Sequence, residues 1–235
     1  MKAFMNWSGG KDSALAFYKA KQNGIDIDAL LTSVNESTDR VSMHGVRRTL
    51  LQQQASAVGL PLHTIELPEM PGMQAYEITT RHKHQLLKTE GYTHGIFGDV
   101  FLEDLKAYRE NLLALDGMNC LFPIWKMQSR DVVKQFISLG FKAIIVCVNS
   151  TYLDKSFCGR LLDDNFLNDL PATVDPCGEN GEYHSFVFDG PIFSHPILFS
   201  KGDTVFKSYA APKQDDCFTI PTDEVGFYFL DLLPE

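Results

Sequence analysis

The chain has 235 residues, of which 44% are hydrophobic, 11% aromatic and 22% charged; this excludes intrinsic disorder and leaves room for one large domain or two small ones. Lys plus Arg number 21 against 30 Asp plus Glu, a formal charge of −9 with a pI near 5.2, which excludes broad attraction to nucleic acid or an anionic membrane surface. No apolar run approaches about 18 residues, and Met1–Trp7 lacks the basic and long apolar parts of a signal peptide, so a cytoplasmic protein without a membrane partner is expected.

Ala3–Trp7 is a short apolar run that stops at a glycine turn, after which Ala14, Phe17 and Tyr18 recur at helical spacing until Gly24 caps the helix. Asp28–Val34 reads as a second strand, Val46, Leu50 and Leu51 as the apolar face of a helix ending at Gly59, and Pro61–Leu67 as a third strand. A long helix follows from Gln74 to Glu90, then a strand at Thr93–Phe97, a helix marked by Leu105, Tyr108, Leu112 and Leu115, and a short apolar run at Cys120–Phe122. Strands alternating with helices predict a Rossmann-like α/β fold, a parallel sheet with helices on both faces. After Pro123 the pattern changes to one helix capped by Ser129, a strand at Phe141–Val148, and strand-like segments at Tyr183–Phe188, Thr204–Ser208, Cys217–Ile220 and Phe227–Leu232. The expected division is a first domain over 1–122 and a smaller α+β domain over 123–235.

The most informative segment is Ser8, Gly9, Gly10, Lys11, Asp12 and Ser13, between the first strand and the first helix. Glycines let backbone N–H groups approach phosphate oxygens, the helix N-terminus adds partial positive charge, and two hydroxyls and a lysine supply further donors. A Walker A loop fails on spacing, because Met5 and Asp12 stand where Gly and Ser or Thr are needed; the dinucleotide fingerprint fails because Gly9 and Gly10 are adjacent. Asp12, negative beside phosphates, makes sense through Mg²⁺ or as a helix cap.

A second constellation lies in Asp175–Pro191, DPCGENGEYHSFVFDGP, where Glu179 and Glu182 stand on a Gly-rich turn before a strand. Two such carboxylates can hold Mg²⁺ or an amine, and their repulsion can raise one pKa enough for proton transfer; a solvated acidic turn is the plain alternative. By strand parity Glu182 and His184 share a face. Gly98 and Asp99 follow the fourth strand at the ligand-facing edge of a parallel sheet, so Asp99 can coordinate Mg²⁺, orient a nucleotide or cap the next helix; Arg109, on that helix, reads as solvated or paired. His44 can reach the same cleft, and the strand edge at Thr32 and Ser33 can meet an adenine through backbone groups. Arg160 can clamp a carboxylate or phosphate, or pair with Asp163 and Asp164. The five cysteines are odd in number and have no CxxC pair, which predicts reduced, mostly buried thiols; Cys177 beside the glutamates invites a thiol-nucleophile reading, against which the absence of a resolving cysteine weighs.

SGGKDS resembles the PP-loop of the adenine nucleotide alpha-hydrolase superfamily, which grips the β and γ phosphates of ATP so that attack occurs at the α phosphorus. Together with GIFGDV at Gly95–Val100 and GENGEYHSF at Gly178–Phe186, in that order along the chain, it is similar to the diphthine ammonia ligase family, although position 180 is Asn where many members have Gly. The resemblance implies a HUP-type first domain, ATP and Mg²⁺ as cofactors, and AMP and pyrophosphate as products. It implies nucleotide contacts from Ser8 to Ser13, and an ATP or substrate site at Gly178, Glu179, Gly181 and Glu182. The implied chemistry is amidation: a substrate carboxylate is adenylated and ammonia displaces AMP. In the name-giving reaction that carboxylate belongs to diphthine on translation elongation factor 2, but the compact form of this chain looks more like members from organisms without diphthamide, which leaves the substrate open. Two other readings stand beside it: a nucleotide-binding sensor, and a PP-loop enzyme of tRNA sulfur transfer, which the negative charge and cysteine spacing disfavour. A homodimer is one compatible assembly.

Overall fold

The computed structural model describes residues 1–68, 72–210 and 224–235; the expected strand Cys217–Ile220 lies outside the described residues. Six strands, β1 (Ala3–Asn6), β2 (Ala29–Asn35), β3 (Arg40–Val41), β4 (Leu62–Leu67), β5 (His94–Ile96) and β6 (Asn119–Leu121), make the first sheet. Five of them are parallel in the order β4-β2-β1-β5-β6. The sixth, β3, runs antiparallel to β2 at Val34 and Asn35, a hairpin arm too short to leave a hydrophobic pattern.

Alternation along the strands divides the sheet into two faces. Ala3, Met5, Leu30 and Val34 join the apolar cluster that includes α1 (Lys11–Gln22), α2 (Arg48–Val58) and α5 (Ser129–Ser138). Phe4, Ala29 and Leu31 face the other way, onto Leu87 of α3 (Met73–Thr89) and Leu113 of α4 (Glu103–Ala114). Phe4 is fully buried, so trimming it to alanine would cost about 3–5 kcal/mol. The expected Rossmann-like arrangement, helices on both faces of a parallel sheet, is therefore the one observed.

The second sheet is antiparallel, in the order β8-β7-β10-β9, built from β7 (Lys142–Asn149), β8 (Tyr183–Asp189), β9 (Phe199–Ala210) and β10 (Glu224–Pro234). A short helix, α6 (Asp164–Asp169), precedes β8 and is capped by Asp163, which accepts from the Phe166 N–H at 2.8 Å. The larger apolar cluster does not stop at the first sheet: Ile144, Val146, Val187 and Leu232 belong to it.

Three details depart from the sequence expectations. Ser129 is the first residue inside α5 rather than its cap, a place taken by Gln128 with no side-chain hydrogen bond. Val46 precedes α2 and closes the β3 turn by accepting from the Val41 N–H at 2.7 Å. β9 and β10 extend well beyond Thr204–Ser208 and Phe227–Leu232, because the charged Lys201, Asp203 and Lys207 on edge strand β9 hide its alternation.

The topology places a crevice. From β1 the chain moves outward through β2 and β4, then returns to the other side of β1 with β5. Loops leaving the carboxyl ends of β1 and β5 thus diverge at a switch point, where open α/β sheets take ligands. They are residues 7–10 and 97–102.

Asp231 of β10 ties the second sheet to the segment after β2. It accepts from Arg40 Nη1 at 2.8 Å and from Arg47 Nε and Nη2 at 2.9 and 2.6 Å. The Arg47 hydrogen bonds, with Arg40 beside them, hold its carboxyl down at about 2, below the ordinary 3.8. Because the folded value is the lower one, this stabilisation is present above about pH 4 and is lost as pH falls through about 2. Asp231→Asn should destabilise the protein by about 1 kcal/mol at neutral pH, a figure discounted for partial exposure, and the difference should vanish in urea unfolding between pH 4 and 2.

Candidate active site

The phosphate-type loop closes on its own hydroxyls. Gly9 has φ +77°, a left-handed conformation that favours glycine. The Gly10 N–H donates to Ser8 Oγ at 3.2 Å, Ser13 Oγ donates to the Gly10 carbonyl at 2.9 Å, and the two serine hydroxyls lie 3.2 Å apart. Gly10 is the N-cap of α1 and makes no side-chain cap, so first-turn N–H groups lack partners within the helix. Asp12 does not cap the helix: its Oδ2 accepts from Lys11 Nζ at 2.9 Å, and its Oδ1 is buried without a hydrogen-bond partner among the described residues.

The free edge of β8 is laid against this loop. The Val187 N–H donates to the Gly9 carbonyl at 2.9 Å, and the Lys11 N–H donates to Ser185 Oγ at 3.2 Å. Between them sits Gln54 of α2, fully buried and bonded to Trp7, Gly9 and Val187. Gln54 lies in no motif, and Ser185, although inside GENGEYHSF, was not singled out by the sequence. The available signal for Gln54 was positional, a polar residue on the helix face shared by Leu50, Leu51 and Ala55.

A cavity of about 150 Å³ lies between the loop and the 177–185 segment, lined by Ser8, Gly10, Lys11 and Asp12 on one side and Gly178, Glu179, Gly181 and His184 on the other. Sites for whole drug-sized ligands run to about 300–1,000 Å³, so this space suits the phosphate end of a nucleotide rather than all of it. Lys11 does not point freely into the cavity. Its ammonium donates to the Cys177 carbonyl and to Asp12, and lies 4.9 Å from the centre of the Tyr183 ring. Burial by itself would lower its pKa, but Asp12, Tyr183 and Cys177 outweigh burial and hold it above the ordinary lysine value. Lys11 is charged, and it struts one wall against the other.

The two glutamates have different surroundings. Glu179 accepts the Val100 N–H at 2.9 Å and so spans from the Gly-rich turn to the loop after β5. Burial, then Asp12 and Asp99, push its carboxyl up to about 7 against the opposing Val100 N–H and Lys11. Glu182 is buried and turned into its own loop, accepting from the Asp175 N–H, the Asn180 N–H and Asn180 Nδ2 at 3.0–3.1 Å. Asp99 is buried and ion-paired with Arg109 at 2.7 Å, whose guanidinium also covers Phe97. Burial raises the Asp12 pKa and Asp99 adds to the rise, while Lys11 opposes it. No cluster of three or more His, Cys, Asp or Glu that would hold a metal occurs among the described residues. Mg²⁺ shared with phosphates and water needs only one or two carboxylates, and the orphaned Asp12 Oδ1 meets that need.

His44 and His184 pack against each other in the cavity lining, ring centroids 4.6 Å apart and planes tilted by 35°, and His44 Nδ1 lies 3.2 Å from the Ser185 carbonyl. A carbonyl can only accept, so Nδ1 carries the proton and Nε2 the lone pair. Burial lowers both pKa values, that of His44 to about 4, which leaves two neutral rings.

Other expected site residues stand apart from the cavity. Thr32 is buried and donates its hydroxyl to the Trp7 carbonyl, and the Ser33 carbonyl accepts from Ser42. Arg160 pairs with Asp169 at 2.7 Å, not with Asp163 or Asp164, and lies over Phe157 and Phe166. Cys177 directs its thiol to the Ser129 carbonyl at 3.0 Å, and burial pushes its pKa up, the reverse of what a thiolate nucleophile needs. Cys120, Cys147, Cys158 and Cys177 are unlinked; Cys217 lies outside the described residues.

Two family models match the sequence: the diphthamide synthase N-terminal domain over residues 1–119 and the diphthamide synthase C-terminal domain over residues 128–209. Among curated proteins the chain is similar to the diphthine-ammonia ligase of Danio rerio, 29% identical over 94% of this chain and 91% of that one. It is also similar to the Homo sapiens diphthine-ammonia ligase, 27% identical over 86% and 84%. A third relative, the Schizosaccharomyces pombe diphthine-ammonia ligase, is 24% identical over 87% of this chain but only 37% of its own length.

Gly98 sets the spacing of the two loops. A Cβ there would stand 2.8 Å from the Asp12 carbonyl carbon, 2.9 Å from its oxygen and 3.0 Å from the Ser13 nitrogen, all backbone atoms. Gly98→Ala should destabilise the fold by about 1–3 kcal/mol. Its crystal structure should show the 97–102 loop moved off Asp12; an unmoved loop would count against this spacing role.

Proposed function

The chain belongs to the diphthamide synthase family, and from that membership we propose that it is an ATP-dependent ligase that forms a C–N bond, with diphthine on translation elongation factor 2 as the carboxylate substrate and ammonia as the amine. The observation that carries the reading is the cavity itself, which joins a phosphate-type loop at the sheet's switch point to a carboxylate poised near neutral pH. In this reading residues 1–122 hold ATP and residues 123–235 present the substrate.

The substrate carboxylate oxygen attacks the α phosphorus and the bond to pyrophosphate breaks; ammonia nitrogen then attacks the carbonyl carbon and the bond to AMP breaks. The Gly10 N–H, Ser8, Ser13 and the first turn of α1 would bind the phosphates, receiving the charge that develops on pyrophosphate. Lys11 would act mostly by fixing the wall that carries Cys177 and Tyr183, and by its charge. Asp12 would hold Mg²⁺ through Oδ1, a cation that neutralises phosphate charge when bound. Asp99, fixed by Arg109, would orient the loop beside it. Glu179 would take the proton that the attacking nitrogen loses, its other oxygen being tethered to Val100. Glu182, bonded within its turn, would keep Gly178, Glu179 and Gly181 in place, with His44 and His184 as neutral polar contacts in the lining. Thr32 and Ser33 would have to meet adenine, and Arg160 the substrate, from outside the cavity.

The direct test supplies purified protein with MgATP, ammonium and elongation factor carrying diphthine, and measures AMP, ADP and the mass of the modified histidine. AMP with conversion to the amide supports the proposal. ADP would mean that the loop has been misread. Ser13→Ala removes a loop hydroxyl and Gly10→Val drives side-chain atoms toward His44 Cε1 and the Ser185 carbonyl, 2.9 and 3.1 Å from a Cβ at that position. Both variants should fold and lose turnover, and intact ATP consumption in either would sink the assignment.

Glu179 gives a pH test. With free ammonia held constant, kcat/KM should rise as pH increases through about 7, because the acceptor is the deprotonated carboxylate. Glu179→Gln should lower kcat by about a hundredfold or more, the usual worth of a positioned base, while Glu179→Asp should keep the pH limb. A Gln variant with the parent's rate and profile would remove Glu179 from the mechanism.

A further inference from the structure

The peptide between Gly9 and Gly10 is the part of the phosphate loop with the least intrinsic preference for its orientation. Glycine on both sides removes the Cβ atoms that would oppose its rotation, and Gly9 already sits at φ +77°. Yet orientation decides what the loop offers. In a planar trans peptide the C=O and the following N–H point in opposite directions. With the Gly9 carbonyl turned out of the loop, the Gly10 N–H turns in, where it meets Ser8 Oγ at the cavity wall. The opposite orientation would present a carbonyl oxygen to an anion.

What holds the carbonyl out is Gln54. Its amide cannot be read the other way round, because the Trp7 indole only donates and therefore claims Oε1, at 2.9 Å. Nε2 is left facing two carbonyls, Gly9 at 3.0 Å and Val187 at 2.6 Å, and it has two hydrogens to give them. The Val187 N–H completes the hold on the same Gly9 oxygen at 2.9 Å. Gln54 is fully buried, so a helix side chain has been desolvated to make these contacts. The packing around it is close: a Cβ on Gly9 would lie 2.6 Å from Gln54 Oε1.

We propose that Gln54 is a positioning residue for the phosphate site, locking the Gly9–Gly10 peptide so that the Gly10 N–H faces the ligand. Because one side-chain amide grips Gly9 and Val187 together, the lock also fixes the loop to the edge of β8. The inference rests on reading Ser8–Ser13 as the phosphate site.

Its test uses pyrophosphate as the probe, with calorimetry for affinity and ¹⁵N-glycine labelling to follow the Gly10 amide. Wild type should bind pyrophosphate with a shift of the Gly10 resonance. Gln54→Met, which removes both donated bonds, should weaken binding about tenfold or more, the size that one or two lost hydrogen bonds carry, and should abolish the Gly10 shift. Gln54→Glu keeps the acceptor for Trp7 and nearly the same volume but sets an oxygen against two carbonyls; it should show the same loss, and it serves as the test if the Met variant does not fold. Leu51→Ala, buried on the same helix but with no hydrogen bond to the loop, controls for stability and should keep both affinity and shift. Wild-type affinity with an unchanged Gly10 shift in the Gln54 variants would overturn the lock while leaving the phosphate reading intact, as would an equal loss in Leu51→Ala. Failure of wild type to bind pyrophosphate at all would overturn both.

Discussion

The seam between the phosphate-type loop and the second sheet turns on one backbone oxygen. The Gly9 carbonyl accepts from the Val187 N–H and from Gln54 Nε2, and through it the edge of the antiparallel sheet is joined to the loop at the centre of the parallel one. An edge strand has a row of backbone groups that need partners, and leaving them unmet in a buried place costs more than a typical hydrogen bond returns. Here the Val187 N–H meets the Gly9 carbonyl, the Val187 carbonyl accepts from Gln54 Nε2, and the Ser185 side chain takes the Lys11 N–H. Neither half of the cavity exists without the other. The apolar cluster that runs through both sheets supplies most of the stabilisation, but it is non-directional; the Gly9 contacts set the register.

Charge inside this seam is arranged by the same logic. Burial and Asp99 raise the Asp12 pKa, and burial, Asp12 and Asp99 raise that of Glu179, while Lys11 opposes both rises. Arg109 is committed to Asp99 and Lys11 to Asp12, so of these three carboxylates Glu179 is the one without an ion pair among the described residues. Its one strong support is a neutral N–H. A carboxyl in that position is pushed toward neutral pH by burial and by its neighbours. Glu182, three residues on, receives three hydrogen bonds from its own turn. Two glutamates in one short motif thus take different parts, a distinction created by which backbone N–H groups each can reach.

Much of the first half was legible because its signals are local. A strand, a glycine turn and a helix in immediate succession determine where Ser8–Ser13 lies relative to the sheet, and the repeat of that pattern determines the sheet's type. Alternation even anticipates the two faces, with Phe4 opposed to Ala3 and Met5. The second half was less legible. β9 is a charged edge strand held by pairing with β10, and β3 is a two-residue arm; neither has periodicity of its own. The site was legible where chemistry is written in rare residue patterns, and illegible where it depends on contacts between distant segments. Lys11 looks like a phosphate ligand until the Cys177 carbonyl, 166 residues away, takes its ammonium. Arg160 looks ready for an anion until Asp169 takes its guanidinium.

The need to exclude water gives this construction its sense. An activated carboxylate that awaits ammonia is lost if water reaches it first, so a ligase of the proposed kind benefits from a site whose walls are dry. The residues that join the two walls, Lys11, Gln54, Tyr183 and Ser185, are all buried. The hydrogen bonds of Lys11, Gln54 and Ser185 run between the phosphate-type loop and the 177–187 segment, and the neutral His44 and His184 line the same cavity. A site whose two walls are joined by the docking of two sheets is assembled by folding itself. On the proposed reading phosphate grip and water exclusion are coupled: loosening Gly9 from β8 would weaken the first and open the second, so substitutions along this seam should impair retention of the activated carboxylate together with binding of phosphate.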